Sequence, residues 1–122
     1  MNKRQSMEDY LERILMLQEK NEIVRSIDIA HSMSFSKASI SVAVKKLVEQ
    51  GYINHDLQTG QITLTDAGLK IASATYDRHK TLSKFFEHLG VDENVALEDA
   101  CAVEHDLSDQ TYEKLKAFVE KL

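Results

Sequence analysis

Residues 28–47, DIAHSMSFSKASISVAVKKL, hold two helical patterns separated by a short serine-containing break. Apolar residues recur at helical spacing over residues 27–33 and again over residues 37–50. Gly51 follows the second pattern and is suited to end a helix. In the first pattern Ile27, Ile29, Ala30 and Met33 are predicted to face inward, and in the second the apolar residues at helical spacing are Ile40, Val44, Leu47 and Val48. Two helices joined by so short a turn form a helix-turn-helix.

The flanking segments complete a winged form of this motif. A helix over residues 7–20 precedes it, and residues 52–55 and 61–64 alternate in strand fashion around a turn that contains Gly60. Further helices are predicted over residues 66–89, 93–105 and 109–122, and candidate N-caps are Ser6, Ser26, Thr65 and Ser108. The predicted fold is mainly α, with an N-terminal winged helix-turn-helix domain (1–70), a two-stranded wing and a second, helical domain (71–122).

Charge is distributed unevenly along the 122 residues, which carry 15 Lys+Arg against 20 Asp+Glu and a formal net charge of -5. Residues 29–48 contain no acid and three lysines, whereas residues 81–122 contain four lysines and ten acids. The overall balance argues against a histone-like polyanion binder, which needs a large basic excess. Because the helix-turn-helix is the least acidic part, a local DNA-binding surface is compatible with the acidic total.

Cysteine use and hydropathy indicate the compartment. Cys101 is the only cysteine, so no internal disulfide can form, as is usual in a reducing environment. No apolar run approaches the roughly 18 residues of a membrane span, and the first residues lack the apolar stretch of a secretory signal. We therefore expect a cytoplasmic protein with no membrane association.

The second helix of the motif is predicted to enter the major groove of DNA, as in other winged helix-turn-helix domains. Its exposed face combines small hydroxyls, which fit base edges and phosphates, with cations that attract the DNA backbone. The predicted DNA-binding residues are Ser36, Lys37, Ser39, Ser41, Lys45 and Lys46. The alternative is a winged helix used for protein contacts, in which these residues form an ordinary solvated face.

A group of metal-ligand residues lies in the acidic C-terminal part. Cys101, Glu104 and His105 occupy positions i, i+3 and i+4, so a helix places a thiolate, a carboxylate and an imidazole on one face. Three different ligand types on one turn are a more specific signal than any of them alone. Weaker candidates elsewhere are Asp9, Glu12 and His79. Taken singly, each candidate also fits a cap, a solvated face or, for the cysteine, a small packed side chain.

Several segments in order carry a resemblance that covers nearly the whole chain. They are SMEDYLERILML at 6–17, the helix-turn-helix at 28–47, ITLTDAG at 62–68, RH at 78–79, LGVDE at 89–93 and VEHDLS at 103–108. The chain resembles the diphtheria toxin repressor family of metal-dependent transcriptional repressors, most closely its short branch of manganese transport regulators. The resemblance implies a homodimer with a winged helix-turn-helix DNA-binding domain and a helical dimerisation domain, and no SH3-like third domain.

The resemblance also implies a set of metal ligands. Five positions match the short branch, namely Asp9, Glu12, His79, Glu104 and His105. At the sixth, Cys101 replaces the usual glutamate and matches the iron-responsive branch, which itself usually has methionine at the position of Asp9. A thiolate favours Fe(II), Co(II) or Zn(II), whereas the carboxylates suit Mn(II) or Fe(II). The expected cofactor is Fe(II) or Mn(II), with Zn(II) and Co(II) as alternatives.

Together these observations predict a metal-dependent repressor of metal-ion homeostasis genes that binds palindromic double-stranded operator DNA as a homodimer. A two-fold dimer reads such a site when its recognition helices are held at the spacing of the groove, and the bound metal would hold them there. The first alternative is a winged-helix regulator that responds to another ligand. The second is a small metallohydrolase, but the chain has no HExxH or similar motif, and we expect no enzymatic activity.

Overall fold

The computed structural model describes residues 3–122, with side chains from Ser6 onward, and this part of the chain forms six helices and two strands. The helices are α1 (Lys3–Lys20), α2 (Ser26–Met33), α3 (Lys37–Glu49), α4 (Asp66–His88), α5 (Glu93–Val103) and α6 (Asp109–Glu120). The strands are β1 (Ile53–His55) and β2 (Ile62–Leu64). The predicted mainly α fold with a two-stranded wing is confirmed, and the predicted element ends are displaced by a few residues.

The first of two compact units runs to Ser73 and forms the winged helix-turn-helix. Its core is built from Leu11, Ile14, Val24, Ile29, Ala30, Ile40, Val44, Leu47, Ile53, Ile62 and Ala72. Most of the apolar residues at helical spacing face inward. The prediction that Ile27 does so is wrong, because it is 38% exposed, and Val48 of the second helical pattern is 41% exposed. Both lie at the edge of the apolar stripe of their helix, where the helical period turns the side chain away from the core.

Two predicted caps are wrong. Ser6 lies inside α1, which extends back to Lys3 because the residues before Ser6 are good helix formers. Ser26 is the first residue of α2, and Arg25 is its N-cap. The acid at the third helical position explains the shift, since Asp28 Oδ2 accepts the backbone N–H of Arg25 at 2.9 Å.

The predicted caps Thr65 and Ser108 are confirmed, and Ser36 caps α3 in the same way. Each of the three hydroxyls accepts the backbone N–H three residues further on at 3.1 Å. The turn between α2 and α3 depends on Ser34, which takes a left-handed conformation with φ 58°. The N–H of Phe35 then donates to the carbonyl of Ala30 at 3.0 Å, which closes α2. This turn sets the direction in which α3 leaves the motif.

The wing is an antiparallel hairpin of three residue pairs. Asp56 organises its turn, because Oδ1 accepts the N–H groups of residues 58 and 59 at 2.9 and 3.3 Å, and these bonds lower the pKa of the Asp56 carboxyl. The wing is attached to the motif by the N–H of Ile62, which donates to the carbonyl of Val24 at 2.8 Å. The hairpin is thereby fixed to the segment that leads into α2.

The second compact unit runs from Ala74 to Leu122 and contains most of α4 with α5 and α6. Its buried apolar residues are Leu82, Ala96, Ala100, Tyr112 and Val119. The two buried residues of α5, Ala96 and Ala100, both have small side chains. Several large apolar side chains stay exposed on this unit, namely Leu89, Val95, Leu97, Phe118 and Leu122. Large exposed apolar side chains are candidates for an interaction surface where they form a contiguous patch.

The boundary between the two units falls inside α4, which is continuous from Asp66 to His88. Among residues 3–122, none of the helices combines the length and the apolar content that crossing a bilayer requires.

Candidate metal centre and DNA-binding face

The outer side of α3 presents all six predicted DNA-binding residues to solvent. Ile40, Val44 and Leu47 anchor the opposite side in the core, so the helical period fixes which residues face outward. Between residues 36 and 46 the exposed face carries three lysines and no acid. Such a face suits the phosphate backbone of a duplex.

Arg25 contacts the turn of the wing, and the sequence patterns did not predict this contact. Its Nε donates to the carbonyl of Thr59 at 2.9 Å, and its stem lies against Gly60, where an added Cβ would be 3.5 Å from Arg25 Cδ. Residues 52–64 contain no lysine or arginine of their own, so Arg25 brings a cation to the wing turn. A wing without basic residues of its own is the sequence feature that could have indicated a cation supplied from outside it.

A buried carboxylate and two imidazoles form the candidate metal centre of the second unit. Glu104 is 1% exposed, and its Oε2 lies 3.0 Å from His79 Nδ1 while its Oε1 lies 3.4 Å from His105 Nε2. The imidazole side chains are only 12% and 3% exposed. Carboxylate oxygens and imidazole nitrogens are ligands of Mn(II), Fe(II), Co(II) and Zn(II). The donor set therefore fits a first-row divalent metal.

Two segments position these side chains. His79 lies on α4, whereas Glu104 and His105 lie in the link between α5 and α6. The prediction that α5 continues to residue 104 or 105 is wrong, because the helix ends at Val103 and Glu104 is its C-cap. The N–H of Glu104 still donates to the carbonyl of Ala100 at 2.9 Å, which keeps its side chain in helical register.

The other predicted ligands are placed as follows. Asp9 and Glu12 lie three residues apart on α1 in the first unit, with Glu12 buried at 5% exposure and Asp9 half-buried. Burial of a carboxylate is costly unless hydrogen bonds or a cation compensate it, which makes the burial of Glu12 consistent with a ligand. Cys101 lies on α5 one turn before Glu104 and is exposed. Within the second unit, the structure brings together Glu104 and the two imidazoles.

A second polar cluster ties α6 to α4. The hydroxyl of Tyr112 donates to Asp77, and Lys116 Nζ donates to the same carboxylate at 2.9 Å. The hydrogen bond from Tyr112, followed by the bond and charge of Lys116, lowers the pKa of the Asp77 carboxyl despite its partial burial. Burial, followed by the bond to Asp77, raises the pKa of Tyr112. Asp77, which accepts both of these hydrogen bonds, lies on α4 two residues before His79.

Arg78 also has contacts that the sequence did not predict, although it belongs to the RH dipeptide at 78–79. Its guanidinium donates to the carbonyls of Glu104 and Leu107 and pairs with Asp109. These partners are 26 to 31 residues away in sequence, so no local pattern could have indicated them.

Two family models match consecutive parts of the chain. The N-terminal DNA-binding domain of iron-dependent repressors matches residues 4–60, and their metal-binding and dimerisation domain matches residues 65–122. The chain is also 43% identical over 119 residues to an uncharacterised HTH-type transcriptional regulator of Methanocaldococcus jannaschii, covering 96% of this chain and 94% of that protein. The chain belongs to the iron-dependent repressor family. Members of this family are iron- or manganese-dependent transcriptional repressors, so the predicted family and its two kinds of domain are confirmed.

Similar proteins include regulators named for manganese. The HTH-type transcriptional regulator MntR of Bacillus subtilis is 34% identical over 115 residues, covering 94% of this chain and 80% of that protein. A manganese-dependent transcriptional repressor solved in complex with manganese superposes with a TM-score of 0.84 at 31% identity, covering 93% of this chain and 52% of that one. The chain therefore spans about half the length of the solved structure.

Proposed function

We propose that this protein represses metal-ion homeostasis genes by binding palindromic operator DNA as a homodimer when it holds Fe(II) or Mn(II). The observation that carries the proposal is the buried Glu104 carboxylate between two imidazoles, in a chain that also presents an acid-free recognition helix. Residues 1–70 serve DNA binding, and residues 71–122 serve metal binding and dimerisation. The protein acts in the cytoplasm and is not an enzyme.

The proposed ligands come from α1, α4, α5 and the link after α5. They are Asp9, Glu12, His79, Cys101, Glu104 and His105. Bound there, a divalent cation supplies positive charge that offsets the carboxylates and the thiolate. Each ligand must be deprotonated to bind, so metal affinity depends on pH and binding releases protons.

Metal binding increases operator affinity by favouring one arrangement of the protein. Without metal, the ligand carboxylates repel one another; with metal, the ligands on α1 and those of the second unit share one ion. A dimer held in this way already has its recognition helices at the required separation, so less free energy is spent on ordering them when DNA binds.

The DNA contacts fall on the outer side of α3. Lys37 and Ser39 lie at the groove, and Lys45 and Lys46 are nearer to phosphates; the full proposed set is Ser36, Lys37, Ser39, Ser41, Lys45 and Lys46. Substitution of one phosphate-contacting lysine by alanine should lower the salt dependence of binding by about one counterion per contact.

Operator affinity measured by fluorescence anisotropy tests the proposal. Duplexes selected from a random library with Mn(II) or Fe(II) supply the operator, and titrations are repeated with Mn(II), with Fe(II) under anaerobic conditions, with Zn(II) and with EDTA. Couplings of this kind are typically about 5–150-fold, and we expect Mn(II) or Fe(II) to increase the affinity over EDTA within that range.

Matched variants assign the response to the site. Glu104→Gln keeps the shape of the side chain but removes its charge, and it should abolish the metal response. Glu98→Gln removes one charge from an exposed position on α5, the helix that precedes Glu104, and should leave the response unchanged. Equal operator affinity in EDTA and in every metal would refute the proposed function, and a full response in Glu104→Gln would remove this cluster from it.

A further inference from the structure

We propose that Arg78 is a positioning residue of the metal centre, an inference that rests on the proposed function and adds a residue to it. The Arg78 side chain is 17% exposed and lies on α4 directly before His79. Its Nη1 donates to the carbonyls of Glu104 at 3.2 Å and Leu107 at 2.8 Å, and its Nη2 pairs with Asp109 Oδ1 at 2.6 Å. The guanidinium carbon lies 4.8 Å from the centre of the Tyr112 ring.

These contacts fix the segment that carries two of the candidate ligands. α5 ends at Val103, and the carbonyls in the last turn of a helix have no partner within the helix. Arg78 supplies that partner at Glu104 and again at Leu107, just before α6 begins. The Glu104 side chain projects from the Cα next to the first of these carbonyls and the His105 side chain from the Cα that follows it, so the guanidinium fixes the backbone from which both ligands originate.

The arrangement requires the shape of arginine as well as its charge. A planar guanidinium directs several N–H groups to separate acceptors at once, whereas an ammonium is a compact charge on a flexible stem. The bond to Asp109 contributes least, because the Asp109 side chain is 97% exposed and water competes for it. The two carbonyl bonds therefore account for most of the positioning.

Loss of the charge of Arg78 and loss of its positioning contacts should change metal affinity in opposite directions. A guanidinium near a cation site repels the cation, so loss of its charge alone would increase metal affinity. Loss of positioning has the opposite sign, because groups that orient metal ligands commonly contribute about 10–100-fold to metal affinity.

The experiment compares Arg78→Gln and Arg78→Lys with a matched control, Lys84→Gln, which removes a charge from an exposed position on the same helix. Mn(II) affinity is measured from the free-ion electron paramagnetic resonance signal. We expect Arg78→Gln to bind Mn(II) about 10–100-fold more weakly, Arg78→Lys to be intermediate, and Lys84→Gln to match the wild type or bind slightly more tightly.

Hydrogen exchange of the metal-free proteins gives a second readout that involves no metal. The N–H groups of Glu104 and Asp106 donate to the carbonyls of Ala100 and Val103, both at 2.9 Å. They should exchange faster in Arg78→Gln than in the wild type, while amides in the middle of α4 keep their protection. A general loss of stability would instead increase exchange throughout the unit.

Mn(II) affinity in Arg78→Gln equal to or above that of the wild type would overturn the proposal, as would unchanged exchange at these two amides. If circular dichroism shows that Arg78→Gln does not fold, Arg78→Lys decides the question, and wild-type affinity in that variant overturns it. A wild-type protein that binds no Mn(II), Fe(II) or Co(II) would refute the proposed function instead, and the exchange data would still test Arg78.

Discussion

Gly68→Ala should destabilise the winged helix-turn-helix, although alanine normally favours a helix. Gly68 lies in the first turn of α4, where its N–H donates to the capping Thr65 Oγ1 at 3.1 Å. A Cβ added to Gly68 would lie 2.0 Å from the carbonyl oxygen of Tyr52 and 2.9 Å from its carbonyl carbon. Both atoms belong to the backbone just before β1, so no side-chain rotation can relieve the clash.

The size of the effect follows from opposing contributions. Replacing glycine by alanine inside a helix stabilises it by up to about 1 kcal/mol. Forcing the backbones apart costs about 1–3 kcal/mol or more, and loss of the 3.0 Å bond from the Thr65 N–H to the Tyr52 carbonyl costs about 1 kcal/mol. We expect a net loss near 2 kcal/mol, which for a unit of this size lowers Tm by about 10 °C.

Urea denaturation followed by circular dichroism measures this loss in the metal-free protein. Gly51→Ala is the matched control, because Gly51 has φ 81° and open space where a Cβ would be added. Its cost is conformational only, about 1–2 kcal/mol, with no displacement of neighbouring backbone. A Gly68→Ala protein as stable as the wild type would refute the close approach of α4 to Tyr52.

Asp77→Asn should lower stability at pH 7 by less than about 1 kcal/mol, since the Asp77 side chain is 47% exposed. The hydrogen bond from Tyr112 chiefly, and Lys116, lower the pKa of the Asp77 carboxyl in the folded state. The contribution of Asp77 to the free energy of unfolding is therefore present above pH 3.8, the ordinary pKa, and is lost as the pH falls below that value. Urea titrations between pH 7 and pH 2 should show the stabilities of the two proteins converging. Phe118→Asp should shift the protein from dimer to monomer at micromolar concentration in sedimentation, since Phe118 is a large apolar side chain, 55% exposed, in the region proposed to dimerise. Cys101→Ala should weaken binding of Co(II), Fe(II) and Zn(II) more than that of Mn(II) and remove an intense near-ultraviolet band from the Co(II) form; a band that survives would show that the exposed thiol is not a ligand.

The fold was largely predictable because its signals are local. Thr65 and Ser108 each mark a helix start, and the hydrogen bond that makes them caps spans only three residues. The errors arise where a competing group is nearby. Arg25 takes the place of Ser26 as N-cap, because Asp28 accepts the N–H of Arg25. Helix α5 ends earlier than predicted, at the point where Arg78 donates to the carbonyl of Glu104.

The candidate site was predictable as a list of residue types but not as a geometry. The sequence placed Glu104 and His105 near each other, because neighbours in a chain stay close in any structure. The pairing of Glu104 with His79 spans 25 residues and depends on how α4 packs against the link after α5. The role of Arg78 depends on the same packing, so it could only be inferred once the helices were placed.

The serines of α3 show how one residue type divides between folding and recognition. The sequence placed Ser36, Ser39 and Ser41 together at the groove. In the structure, Ser36 Oγ accepts the N–H of Ser39 and donates its proton to Ser39 Oγ at 3.0 Å, so its hydroxyl already serves the helix. Any effect of Ser36 on DNA binding therefore acts through the position of the helix N-terminus and should be similar for every DNA sequence. Discrimination between bases must then come from the other proposed side chains of the exposed face, among them Lys37, Ser39 and Ser41.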